Sequence, residues 1–239
     1  GVSCGGTVEV FVQPFIHNTA PEMHQALVSI VANYESAVLL SNMSSEQPQN
    51  VLWFPEKEMI GVGTDVLSSD AKQAFQERKN QSLEVGEENW FAQIVPRKSQ
   101  LILVGAAHIT VDLVGLAQTF GFETIVIDPR GIFAEKTQFP IPPNHLHVDW
   151  PAEVLPNYTL DAYTYVVMLT HDPKIDDQAL ELVLRSEVAY IGALGSKRTA
   201  AKRKARLEAN GFSEEEIDRI YGPVGVSIKA KRPREIALS

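Results

Sequence analysis

Leu101-Ile-Leu-Val-Gly-Ala-Ala-His108 and Tyr165-Val-Val-Met-Leu-Thr170-His171-Asp172 have the same plan: an apolar run, a small residue or threonine, then histidine. Imidazole titrates near neutrality, so it can move a proton, ligate a metal or hydrogen-bond an anionic ligand. In an open parallel sheet, ligands bind outside the carboxyl ends of the strands, where the strand order reverses. If the two runs lie side by side, His108 and His171 face one crevice. Asp172 has two readings: a carboxylate tuning the neighbouring imidazole, or the cap of a helix beginning near Lys174.

Two turn segments add to this pair. Gly105-Ala-Ala107-His-Ile-Thr110 stands where a dinucleotide fingerprint would, with Asp128 at the end of the next strand where a ribose-binding acid belongs. The fingerprint is defective: Ala107 and Thr110 replace the second and third glycines. A dinucleotide fold and a Rossmann-like scaffold that binds none both remain open. Leu194-Gly195-Ser196-Lys197-Arg198 also follows a strand and opens a helix. A glycine, a hydroxyl and two cations at a helix N-terminus suit a phosphate or another oxyanion. Lys202, Arg203, Lys204 and Arg206 continue that charge and read as a solvated helix face. His145 and His147, beside a proline-rich loop, carry little signal. Cys4, among the small residues of Ser3-Cys-Gly-Gly6, reads from spacing alone as a small buried thiol.

Bulk properties narrow the classes. The chain has 239 residues, enough for one large or two modest domains, and is 44% hydrophobic and 21% charged. A net charge of -9 argues against general nucleic-acid or anionic-membrane binding, which need excess Lys and Arg. No apolar run approaches bilayer-spanning length and no signal-peptide pattern opens the sequence, so the cytoplasm is the expected location. A single cysteine excludes an internal disulfide framework. The start without methionine and the abrupt end of the Pro233–Ser239 helical turn suggest pieces missing at both ends.

The elements that must position these groups fall into two halves. Residues 1–97 read as a small α+β domain: a strand over Thr7–Gln13, a helix from Pro21 to about Tyr34, strands at Val38 and Val51, a polar helix over Ser69–Asn80, and a strand at Trp90–Val95. Residues 98–239 alternate strand and helix: strands at Leu101, Thr124, His145, Tyr163 and Val188, with helices from Ile109, Ile175 and Lys197. Such alternation requires crossover connections and predicts an α/β, Rossmann-like parallel sheet. Ser213-Glu-Glu-Glu216 is a capping box opening one more helix. Tyr221–Val226 reads as a turn-rich loop.

Taken in order, six segments resemble the xanthine dehydrogenase accessory family, the XdhC/CoxI type of molybdenum-enzyme maturation proteins. They are Ser3–Val12, Val104–His108, Ile127–Arg130, Leu169–Asp172, Tyr190–Arg198 and Tyr221–Gly225. The resemblance covers nearly all of residues 101–239 and the first dozen, while about Phe15 to Gln93 agrees only in general character. It implies a chaperone that binds molybdenum cofactor (molybdopterin) and delivers it to a xanthine dehydrogenase-like enzyme without catalysing hydride transfer. It also implies a cysteine desulfurase as a further partner and a homodimer. On this reading Ser196, Lys197 and Arg198 would hold the cofactor's anionic groups. Gly105, Ala107, His108, Asp128, Thr170, His171, Asp172 and Gly195 would line its crevice, and the Cys4 thiol would approach the metal or its sulfur. Set against the family, Ala107 stands for a glycine, and the upstream part of the N-terminal domain and the end of the final helix are expected to be missing from this sequence. Two rivals stand beside this reading: an NAD(P)-dependent oxidoreductase using Gly105–Thr110 and Asp128, and a metal-dependent hydrolase built on His108, His171 and Asp172.

Overall fold

The computed structural model describes residues 10–14, 20–33, 35–55, 57–61, 65–131 and 139–239. Chain contacts divide into two compact units, Gly1–Arg97 and Lys98–Ser239.

In the first unit, α1 (Pro21–Asn33) starts with proline in its first turn, where the missing N–H costs nothing. Strands β1 (Ala37–Asn42) and β2 (Asn50–Trp53) precede α2 (Asp65–Glu77), which starts four residues before the expected helix. Then come β3 (Gln81–Val85) and β4 (Glu88–Val95). The antiparallel sheet runs β2-β1-β4-β3. Met23 and Ile30 of α1 pack on Ala37, Leu52 and Phe54. β3 escapes a reading of the sequence because it has no fully buried position, so apolar patterning hardly marks it. The strand expected over Thr7–Gln13 lies partly outside the described residues; 10–14 form no strand. The Gln13 side chain instead donates to Asn50 Oδ1 (2.7 Å) and Ser41 Oγ (3.3 Å). Cys4 lies outside the described residues.

In the second unit, β5 (Gln100–Val104), α3 (His108–Thr119), β6 (Glu123–Ile127) and β7 (His145–His147) lead to the short α4 (Pro151–Val154). β8 (Thr164–Met168), α5 (Pro173–Val183), β9 (Tyr190–Ala193) and α6 (Lys197–Ala209) follow. The unit closes with α7 (Glu214–Asp218), β10 (Ile220–Tyr221) and α8 (Pro233–Leu238). α7 carries the expected Ser213/Glu216 capping box. β10 falls in the segment read as a loop; at two residues it is too short to leave a periodic pattern.

Among the described residues the six strands are all parallel, in the order β10-β9-β8-β5-β6-β7. The unit's first strand is therefore central, with its second on one side and its fourth on the other. Alternate residues of each strand serve opposite faces. Ile102, Val104, Val166, Met168 and Ile191 pack on Ile175, Leu180 and Val183 of α5 and Leu207 of α6. Leu101, Leu103, Val126 and Val167 pack on Val114 and Ala117 of α3. Both faces are covered, which is why these strands are nearly continuous apolar runs rather than alternating ones. Truncating a fully buried residue such as Ile102 would cost about 2–5 kcal/mol. The crossover helix after β5 lies on one face and that after β8 on the other, so the chain parts where these strands meet.

A candidate cofactor site at the strand-order switch

The turn leaving β5 presses against the one leaving β8. Gly105 has φ +113°, and a Cβ there would lie 2.8 Å from Thr170 Cγ2 and 3.0 Å from the Thr170 amide nitrogen. Only glycine meets both demands. Its N–H donates to the Ile127 carbonyl (2.8 Å). Its own carbonyl accepts from the buried Thr110 hydroxyl (2.5 Å). The third fingerprint position is thus filled by a side chain that braces the turn. Ala107 is the N-cap of α3, in extended conformation, and His108 is the exposed first residue of that helix.

Asp128 serves the same turn. Its Oδ2 accepts from the Ala106 N–H (2.8 Å) and Arg130 Nη2 (2.8 Å); its Oδ1 accepts from the Arg130 N–H (3.0 Å) and Nε (2.9 Å). Four donors saturate a carboxylate. Burial pushes the Asp128 carboxyl up, but the Arg130 guanidinium and the two backbone N–H groups outweigh it and hold the carboxyl below its ordinary range. A ribose diol would have to displace one of these donors.

Beyond β8, Thr170 is buried, while His171 is exposed. Asp172 caps α5, its Oδ1 accepting from the Lys174 N–H (3.0 Å). The Thr170 hydroxyl donates to Asp176 Oδ1 (2.5 Å) and accepts from the Asp172 N–H (3.1 Å). Asp176 is 4% exposed, and burial raises its carboxyl above the ordinary range despite Thr170 and Arg203.

Facing it, Arg203 is also 4% exposed. This corrects the reading of Lys202–Arg206 as a solvated face. Arg203 shares the buried side of α6 with Leu207, one helical turn on, and that (i, i+4) relation was the available signal. Its Nη2 donates to the Leu194 carbonyl (3.1 Å) and lies 3.8 Å from Asp176 Oδ2. Its Nε is buried with no hydrogen-bond partner among the described residues. Burial lowers the Arg203 guanidinium while it raises Asp176, because a 3.8 Å approach does not repay two desolvations. The other cations diverge: Arg206 forms a bidentate pair with Asp177 (2.6 and 2.9 Å) and Lys204 pairs with Glu214 (2.7 Å).

Leaving β9, Gly195 has φ +143°, and a Cβ there would meet the Thr199 side chain at 3.0 Å. Ser196 caps α6, its Oγ accepting from the Thr199 N–H (3.2 Å). Lys197 and Arg198 are exposed on the first turn. A cavity of about 240 Å³ opens between α5 and α6, with His171, Asp176, Arg198, Lys202, Arg203 and Arg206 on its wall. His108 is not on that wall.

The remaining histidines of this unit are engaged elsewhere. His145 Nε2 lies 2.9 Å from Glu123 Oε1, and His147 Nε2 lies 2.7 Å from the Tyr158 hydroxyl. Burial, then His145, lowers the His147 imidazole. Among the described residues no three His, Cys, Asp or Glu side chains gather as a metal site requires, and His108, His171 and Asp172 do not form such a group. No helix among the described residues is long and apolar enough to cross a membrane.

Six parallel strands with the reversal at β5/β8, helices on both faces and a glycine turn at the carboxyl edge define a Rossmann-type domain. Residues 101–239 match the family described as the XdhC Rossmann domain, and the chain belongs to that family. It is 32% identical over 151 residues to a Bacillus subtilis strain 168 protein named as a probable xanthine dehydrogenase subunit, covering 63% of this chain and 43% of that protein. It is 38% identical over 80 residues to the molybdenum cofactor insertion chaperone PaoD of Escherichia coli K12, covering 34% of this chain and 25% of that protein. A crystal structure described as a xanthine dehydrogenase from Bacillus halodurans superposes with a TM-score of 0.59 at 28% identity, over 91% of this chain and 64% of that one. The chain spans less than half the length of the curated relatives it matches.

Proposed function

We propose that this protein binds molybdenum cofactor at the carboxyl edge of its parallel sheet and hands it to a xanthine dehydrogenase-like enzyme, as a maturation chaperone. The observation that carries the reading is the capped N-terminus of α6, where Lys197 and Arg198 stand on the first turn beside the wall that holds His171. Helix N–H groups and two cations suit a phosphate in a chain that is otherwise acidic.

The residues fit the anionic end of such a cofactor. The cavity of about 240 Å³ falls below the roughly 300–1,000 Å³ of a site enclosing a drug-sized ligand. It would therefore take at most the phosphate end, leaving the heterocycle outside it. When bound, the cofactor supplies an oxo-metal redox centre that the receiving enzyme uses. The chain's own part is to bind, orient and release. Ser196 fixes the start of α6, Lys197 and Arg198 neutralise the anion, and His171 and His108 offer hydrogen bonds to the pterin or oxo groups. Thr170 and Gly105 pack the turns after β5 and β8 against each other. Two relatives support this reading by their names, one a molybdenum cofactor insertion chaperone and the other a probable component of xanthine dehydrogenase. A thiol role for Cys4 toward the metal's sulfur, a cysteine desulfurase partner, a homodimer, a cytoplasmic location and separate folding of 1–97 and 98–239 belong to the same proposal.

Both rivals lack this support. A dinucleotide would need the Asp128 carboxylate, whose four acceptor positions are taken. A hydrolase metal would need His108, His171 and Asp172 to gather, and among the described residues they form no such group.

The test is reconstitution. A cofactor-free xanthine dehydrogenase-like enzyme is mixed with molybdenum cofactor, with and without this protein, and activity recovery is followed. Faster or fuller recovery is expected with the protein present. Equal recovery, together with tight NADH or NADPH binding and turnover, would favour the oxidoreductase reading.

A further inference from the structure

We infer that the cavity between α5 and α6 is an inner oxyanion site, built around Arg203 and able to hold a tetrahedral dianion such as sulfate, phosphate or molybdate without any pterin. Two independent observations carry it. The Arg203 side chain is only 5% exposed and lines the cavity, yet its Nε–H meets no acceptor among the described residues. A buried donor left unmatched costs about 1–3 kcal/mol, more when charged, and an ion or water that accepts from it would relieve that cost. Second, the wall carries Arg198, Lys202, Arg203 and Arg206 against a single acid, Asp176, in a chain with net charge -9. Of these cations Arg206 is committed to Asp177, whereas Arg198 and Lys202 form no ion pair with the described residues. Two of the four cations face an acid and two do not, and that excess of positive charge around a small cavity favours an anion between them.

This inference goes beyond cofactor delivery, because it assigns the ligand class to Arg203 and Lys202, which the outer turn of Ser196 and Lys197 does not require. The phosphate of a larger ligand and a free inorganic oxyanion share this chemistry, and the experiment separates them.

Sodium molybdate, sulfate and phosphate are titrated calorimetrically into the full chain at fixed ionic strength, with no pterin present. Saturable one-to-one binding, with the anions competing for one site, is expected. Lys202→Ala, an exposed change that should fold normally, is expected to weaken it about threefold, the equivalent of roughly 0.7 kcal/mol. Arg203→Lys, which keeps the charge but loses Nε and the planar fork, is expected to weaken it at least tenfold. Asp176→Asn removes the one acid on the cavity wall and is expected to tighten it several-fold. Should Arg203→Lys fail to fold, the Lys202 and Asp176 variants still decide the matter. No saturable binding of any of the three anions, or binding indifferent to all three substitutions, would overturn the proposal. Its failure would remove this cavity as the seat of the cofactor's phosphate, while delivery itself is decided separately by the reconstitution, which the Lys197/Arg198 turn could still support. If the inorganic anions bind while cofactor does not, the delivery reading fails and this one survives.

Discussion

Thr170 faces the turn after β5 with its methyl group and Asp176 with its hydroxyl: a Cβ on Gly105 would lie 2.8 Å from its Cγ2, and its Oγ1 lies 2.5 Å from Asp176 Oδ1. One buried threonine thus joins the glycine turn at the strand-order reversal to the acid on the cavity wall. Packing at that point fixes how the two turns lie against each other.

The Gly105 contact makes a sharp prediction. Gly105→Ala must accept φ +113° and a clash with backbone as well as side chain, so it should lose about 2–4 kcal/mol of stability. Denaturant unfolding monitored by circular dichroism measures it. A loss below about 0.5 kcal/mol would mean the two turns are not locked together.

Asp128 should act as a structural anion whose contribution depends on pH. Its carboxyl is held below the ordinary range in the fold, so the unfolded chain takes up the proton first. Its stabilisation is therefore complete above about pH 4 and fades as pH falls through the folded value. Asp128→Asn should be less stable than the parent by roughly 2–4 kcal/mol at pH 7, and the gap should narrow toward pH 3. A gap that widens in acid would reverse the assignment.

Asp172 supports α5 by capping it. Asp172→Ala should cost about 1 kcal/mol, while Asp172→Ser, which retains an acceptor, should cost only a few tenths. Thermal unfolding of the pair distinguishes capping from a purely electrostatic effect, which both variants would lose equally.

The sheet was readable because β5, β6 and β8 are buried on both faces and so announce themselves as unbroken apolar runs, with a helix directly after β5 and after β8. Placing His108 and His171 beyond adjacent strands followed from that alone. What escaped has physical causes. β3 and β10 owe their existence to pairing with neighbours, since neither has a fully buried residue to mark it. Arg203 hid in a basic run whose other members are half-buried or exposed; only its alignment with Leu207 on α6 betrays it. Asp128 occupies a ribose-binder's place in the sequence, but Arg130 two residues on and the Ala106 N–H claim it. Sequence position identifies the acid, whereas its partners are set by a turn that only the folded chain displays. Asp176 gave no signal because its role depends on Thr170, six residues away across a helix start.

The most direct measurement is an anaerobic titration of the full chain with molybdenum cofactor, set beside Lys197→Ala/Arg198→Ala and His171→Ala variants of unchanged thermal stability. Saturable binding is expected, falling at least tenfold in the double variant and several-fold in the histidine variant, because two cations and an imidazole at the crevice are removed. Affinity equal to the parent in both would contradict it and place the ligand elsewhere on the molecule.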